Sequence, residues 1–84
     1  MYKVFISRSA EKQLKRIPTH IQRRVSAVIV SFEVEPRPFG CKKLAGTNES
    51  YRVRVVDYRI IYDIRDKEVT VTVLKVSHRR DVYR

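Results

Sequence analysis

Hydrophobic and polar positions alternate with two different periods along this chain. Tyr51-Arg52-Val53-Arg54-Val55 and Tyr58-Arg59-Ile60-Ile61-Tyr62 follow a period of two on either side of a short break at Val56-Asp57. They are rich in Val, Ile and Tyr, residues suited to a pleated, half-buried surface, and read as a β-hairpin. Val53, Val55, Tyr58, Ile60 and Tyr62 share one face, the core side. Arg52, Arg54 and Arg59 share the other, with Arg54 opposite Arg59 and Arg52 opposite Ile61.

Before the hairpin the period changes. Met1 to Ile6 reads as a short strand. Ser7 offers an N-cap, and Ala10, Leu14 and Ile17 recur at i, i+4 and i+7, the stripe of a short amphipathic helix that Pro18 stops. Thr19 and Gln22 have the spacing of a capping box. Ile21, Val25, Val28, Ile29 and Phe32 then predict a longer helix reaching about Val34, ended by Pro36. Residues 35–50 hold Pro36, Pro38, Gly40, Gly46 and Asn48 and read as a loop carrying Lys42 and Lys43. After a turn at Arg65-Asp66-Lys67-Glu68, Val69 to Val76 forms the last strand. Unbroken pairing sets Leu74 opposite Arg59 and Thr72 opposite Ile61. Val69, Val71 and Val73 then join the core face, and Val76 and His78 join the arginine face. The predicted fold is α+β: a small antiparallel β-sheet with an N-terminal helical hairpin packed on one face, in the order β-α-α-β-β-β. It is expected to be a single domain over residues 1–84.

Charge sharpens this picture. Nineteen Lys and Arg against nine Asp and Glu give a net charge of +10, which favours a polyanionic partner such as nucleic acid, or an acidic protein. The single Cys41 fits a reducing cytoplasm. No apolar run approaches the roughly 18–20 residues of a membrane span. No Cys/His cluster has metal-ligand spacing and there is no glycine-rich phosphate loop, so neither a metal nor another cofactor is expected. Like charges opposed across strands weaken a sheet. Three guanidiniums on one face therefore point to a ligand with phosphate oxygens, which match their planar forks of donors.

Arg52, Arg54, Arg59, His78, Arg79 and Tyr83 form the candidate catalytic set, with Lys42, Lys43 and Arg80 as further candidate RNA contacts. Such a set suits cleavage of RNA by its own 2′-hydroxyl, which needs no metal. Arginines would hold the backbone and stabilise the phosphorane. His78 has the one side-chain type here that ordinarily titrates near neutrality. Tyr83 would stack on a base or donate a proton. DNA lacks the 2′-hydroxyl, so this chemistry implies RNA.

These residues also resemble a known family. Tyr51-Arg-Val-Arg-Val, Asp57-Tyr-Arg-Ile-Ile-Tyr and Val76-Ser-His-Arg-Arg-Asp-Val-Tyr are similar to the RelE branch of the RelE/ParE toxin superfamily. The early Ser-Ala-x-Lys-x-Leu-Lys helix and the Lys-Leu-x-Gly loop at Lys43 to Gly46 extend the likeness over nearly the whole chain. The resemblance implies the toxin of a type II toxin–antitoxin pair, a ribosome-dependent endoribonuclease that cuts mRNA in the ribosomal A site without metal. An acidic antitoxin would hold it inactive in a hetero-oligomer. The family's basic strand positions fall on Arg52 and Arg54, its arginine after the turn on Arg59, its later basic residue on Arg79 and its terminal tyrosine on Tyr83. Relatives can carry lysine at the two strand positions. Arginine stays protonated, so the role of base passes to His78. Val56 stands where relatives often have glycine, an expectation of a strained or longer turn. ParE-type members share the fold and a similar His-x-Arg-Asp ending but act on DNA gyrase. The alternatives are thus a non-enzymatic gyrase inhibitor, or an RNA-binding toxin without catalysis.

Overall fold

The structure, a computed structural model, describes residues 1–80. Its elements are β1 (Lys3–Ile6), α1 (Arg8–Lys15), α2 (Thr19–Ser31), β2 (Lys42–Lys43), β3 (Ser50–Val55), β4 (Tyr58–Arg65) and β5 (Thr70–His78). The strands form one sheet in the order β1-β5-β4-β3-β2. β2 to β5 make an antiparallel meander. β1 runs parallel to β5, pairing Lys3 with Thr70 and Ile6 with Val73, so the sheet is mixed rather than wholly antiparallel. Period-two alternation identifies a strand but carries no information on the direction of its partner.

Both helices lie on the face that buries Val53, Val55, Ile60, Tyr62, Ile64, Val71, Val73 and Val76. Against it α1 and its exit contribute Ala10, Leu14 and Ile17, and α2 contributes Val25, Ile29 and Phe32. Each large aliphatic or aromatic residue so buried stabilises the fold by roughly 1.5–3 kcal/mol. Phe32 stacks on Tyr62 with ring centroids 4.2 Å apart. Ile21 and Val28 pack at the border of this core and are only partly buried.

Local chemistry explains the joints. Ser7 caps α1 by accepting from the Ala10 N–H at 3.1 Å, while its own hydroxyl donates to the Leu74 carbonyl at 3.0 Å. The capping box expected at Thr19 does not form. α2 starts at Thr19 itself, and the Pro18 carbonyl receives the Ile21 and Gln22 N–H groups. The ring of Pro18 restricts its φ, here −51°, and with an extended ψ of 139° Pro18 takes the cap position that spacing assigned to Thr19.

The main departure lies in β5. Its turn holds four residues as expected but is shifted by one, with Arg65 paired to Thr70 and Val69 left in the turn at a φ of 53°. Then Tyr62 pairs with Val73 but Ile61 pairs with Lys75, leaving Leu74 as an extra residue on β5. This is a β-bulge, and each residue after it faces the opposite side from the one unbroken alternation assigns. Arg59 is opposite Ser77 rather than Leu74, and Ile61 is opposite Lys75 rather than Thr72. Val76 is therefore buried, and His78 pairs with Tyr58 on the helix side.

Candidate functional site

The sheet face away from the helices carries the arginines. Direct pairing puts Arg54 opposite Arg59 and Lys42 opposite Arg52. The hairpin register is the one expected, because the connection is a tight two-residue turn at Val56-Asp57. Val56 adopts a φ of 57°, unfavourable for a β-branched residue and natural to glycine. The strained turn brings the Val56 carbonyl to the Arg54 Nε–H at 3.2 Å, which fixes that guanidinium at the end of β3.

Gly40, Lys42, Arg52, Val53, Arg54 and Arg59 line a cleft of about 190 Å³. Four of these carry a positive charge and none is acidic. Two like-charged pairs stand directly opposed across strands, each costing stability on the scale of cross-strand pairs, roughly 0.2–1 kcal/mol. An anion held between them removes that cost. The lining suits a phosphodiester, with guanidinium forks for its oxygens and no carboxylate to repel it.

Lys42 belongs to this cleft through a short strand where a loop was expected. Residues 36–41 are tied down at several points. The Tyr62 hydroxyl, buried in the core, donates to the Pro36 carbonyl at 2.9 Å. Arg37 donates two hydrogen bonds to the Asp66 carboxylate at 2.8 and 3.2 Å, and a third from Nε to the Tyr51 hydroxyl at 3.2 Å. Tyr2 adds a hydrogen bond to Asp66 at 2.7 Å. Hydrogen bonding from Arg37, and then from Tyr2, holds the Asp66 carboxyl below the usual carboxylate range, while burial above all pushes the Tyr62 phenol up. Gly40, at a φ of 91°, turns the chain into β2. This clasp of Tyr2, Arg37, Tyr51 and Asp66 left no sign in the sequence: its members are 64 positions apart at most, and nothing in their spacing links them.

The other candidates are dispersed. His78 is on the helix side, in a second cleft shared with Gln13, Arg16, Ile17 and Tyr58, and its ring meets Tyr58 edge-on at 5.1 Å. Its Nδ1 accepts from the Arg80 N–H at 3.2 Å. It does not join Arg52, Arg54 and Arg59, and the expectation that it emerges among them is corrected by the bulge. Arg79 follows β5 beside the hairpin turn, its N–H donating to the Asp57 carbonyl at 2.7 Å and its Nε standing 4.0 Å from the Asp57 carboxylate. Arg80 is exposed, and Lys43 pairs with Tyr51 at the outer edge, on the parity opposite to Lys42. Tyr83 lies outside the described residues.

An α+β sheet open on one side and floored there with arginines defines a class, and comparison with known proteins agrees. Residues 4–83 match the model of the ParE toxin of type II toxin–antitoxin systems. Over 85 residues, 96% of this chain and 94% of the relative, the sequence is 31% identical to toxin RelE3 of Methanocaldococcus jannaschii. Identity is 34% with toxin RelG of Mycobacterium tuberculosis, over 99% of this chain and 97% of that one. The toxin chain in the crystal structure of an archaeal RelE–RelB complex from Pyrococcus horikoshii superposes with a TM-score of 0.84 at 35% identity, covering 93% of this chain and 94% of that one. The chain belongs to the RelE/ParE family, and within it is a RelE-like toxin of a type II toxin–antitoxin system.

Proposed function

We propose that this toxin is a ribosome-dependent endoribonuclease that cleaves mRNA in the ribosomal A site. The observation that carries the reading is the cleft of Lys42, Arg52, Arg54 and Arg59 on the open face of the sheet, cationic throughout its charged lining. Arg52, Arg54 and Arg59 bind the scissile phosphate and stabilise the added charge of the phosphorane as the 2′-oxygen attacks. The cleft is too small to enclose a length of flexible RNA, so the ribosome serves to present the strand in line. Arg79, Arg80 and Lys43 contribute longer-range attraction to the RNA backbone. Tyr83 keeps the base-stacking role expected from its side chain.

The same basic surface supports an acidic antitoxin as partner. The Pyrococcus horikoshii relative is a RelE–RelB complex, and a net charge of +10 favours a carboxylate-rich segment. Such a segment would close the cleft and exclude RNA.

A second reading, a DNA gyrase inhibitor without catalysis, is favoured by the ParE family match. The test is incubation with ribosomes stalled on a defined mRNA, followed by mapping of the new RNA ends, in parallel with gyrase and supercoiled DNA. Cuts at the A-site codon are expected. Intact mRNA with gyrase-linked DNA breaks would replace the first reading by the second.

A further inference from the structure

We propose that Lys42 is the general acid of the cleft, protonating the 5′-oxygen that leaves when the RNA backbone is cut; this rests on the ribonuclease reading above. The argument begins with what lines the cleft. Gly40 and Val53 have no proton to give, and Arg52, Arg54 and Arg59 keep theirs, because guanidinium does not deprotonate in proteins. Lys42 is the one lining side chain able to release a proton, and His78 is on the other side of the sheet.

Position supports the assignment. In an in-line displacement the attacking and leaving oxygens stand on opposite sides of phosphorus, and the three remaining oxygens lie around its equator. Arg54 and Arg59 face each other across β3 and β4 and, with Arg52, form a floor suited to the equatorial oxygens. Lys42 stands on the outermost strand, directly opposite Arg52, at a flank of that floor. A flank is where the leaving oxygen needs its proton. No carboxylate among the described residues pairs with Lys42, so its ammonium is available to the substrate. Its backbone is held by the ladder to β3 and, through residues 36–41, by the Tyr62 and Arg37 anchors.

The step balances with water as the only co-reactant. The 2′-oxygen bonds to phosphorus as the bond from phosphorus to the 5′-oxygen breaks. The 2′-hydroxyl proton passes to water, the Lys42 ammonium proton passes to the 5′-oxygen, and solvent reprotonates the amine. The products are a 2′,3′-cyclic phosphate and a 5′-hydroxyl end.

Single-turnover cleavage on programmed ribosomes tests this with two messages. One has the natural 5′-oxygen at the cleavage position and the other a bridging sulfur, which leaves as a thiolate without protonation. Lys42→Arg keeps the charge and removes the usable proton. It is expected to slow the oxygen substrate by about 10²–10⁴ and to cut the sulfur substrate at nearly the parent rate. Arg52→Ala, which weakens phosphate binding, is expected to slow both. A parent-like rate of Lys42→Arg on the oxygen substrate, or equal losses on both, overturns the assignment while leaving the ribonuclease reading intact. A parent protein that cuts neither message overturns both.

Discussion

Replacing Tyr62 by Phe removes one oxygen atom from the centre of the molecule, and the consequence can be worked out. The Tyr62 ring is fully buried and stacked on Phe32, and its hydroxyl supplies the Pro36 carbonyl with a 2.9 Å hydrogen bond. Phenylalanine keeps the stack and the volume of the ring, so little is lost in packing. The lost term is the hydrogen bond, together with the desolvation of a carbonyl left without its donor, about 1–3 kcal/mol. Taking the lower half of that range, and about 4–8 °C of Tm for each kcal/mol in a domain of this size, Tyr62→Phe should lower Tm by roughly 4–16 °C. Tyr62→Ala also empties the ring site and should cost about 3–5 kcal/mol, a large part of the stability of a small domain. Thermal unfolding followed by circular dichroism, with urea melts at 25 °C to check that the m-value is unchanged, measures both. A second readout is independent of the first. Burial raises the Tyr62 phenol above its usual range, so the folded state holds a proton that the unfolded chain gives up. The resulting stabilisation is complete below about pH 10, the ordinary tyrosine value, and is lost as pH rises through the higher folded value. Tyr62→Phe should flatten that alkaline decline. A Tm within about 2 °C of the parent, smaller than the shift from half a kcal/mol, together with an unchanged alkaline limb, would refute the anchoring of residues 36–41 through this hydroxyl.

Three further outcomes are expected. Arg59→Ala should reduce ribosome-dependent cleavage by about a hundredfold or more, the scale for loss of a transition-state donor, and Arg59→Lys should recover only part, since an ammonium lacks the planar fork; single-turnover rates decide. His78→Gln should leave the cleavage rate within about threefold of the parent, equivalent to roughly 0.6 kcal/mol of barrier, because His78 is on the helix side of the sheet; a larger loss in the chemical step would place it back in the mechanism. Asp66→Asn should remove part of the acid dependence of stability. The Asp66 carboxyl is held low by Arg37 and Tyr2, so its contribution is present above about pH 3.9, the ordinary value, and is lost as pH falls through the lower folded one; urea melts from pH 5 downward should show a shallower decline for the variant.

The hairpin was legible because two local regularities agree there. Alternation assigns Arg52, Arg54 and Arg59 to one face, and a two-residue turn preserves the parity across β3 and β4. The apolar spacing of the helices was equally direct, with Ala10, Leu14, Ile17, Val25, Ile29 and Phe32 all buried. His78 was misplaced because parity carried across β5 assumes an unbroken ladder, and Leu74 interrupts it. A bulge has no compositional mark in Val-Thr-Val-Leu-Lys-Val. It is stabilised from a distance, by Ser7 bonding at Val73 and Leu74 and by the Gln13 side chain accepting from the Val76 N–H at 2.7 Å. Lys42 was read as a loop residue because a two-residue strand is shorter than any periodic signal, and the tertiary anchors at Pro36 and Arg37 place it.

The extra residue in β5 has a consequence for how this chain tolerates change. Gaining or losing one residue within a regular strand exchanges inside for outside for everything downstream, whereas a bulged residue stands outside the alternation and can be lost without that exchange. Deleting Leu74 would leave Val73, Lys75 and Val76 as an unbroken run opposite Tyr62, Ile61 and Ile60, so Val76 would stay in the core and His78 on the helix side. It would remove the Leu74 carbonyl to which the Ser7 hydroxyl donates. Two homologues that differ by a single gap at this point would therefore keep the same C-terminal side chains on each side of the sheet. An alignment that slides that gap along β5 would exchange core and surface positions only between the misplaced gap and Leu74.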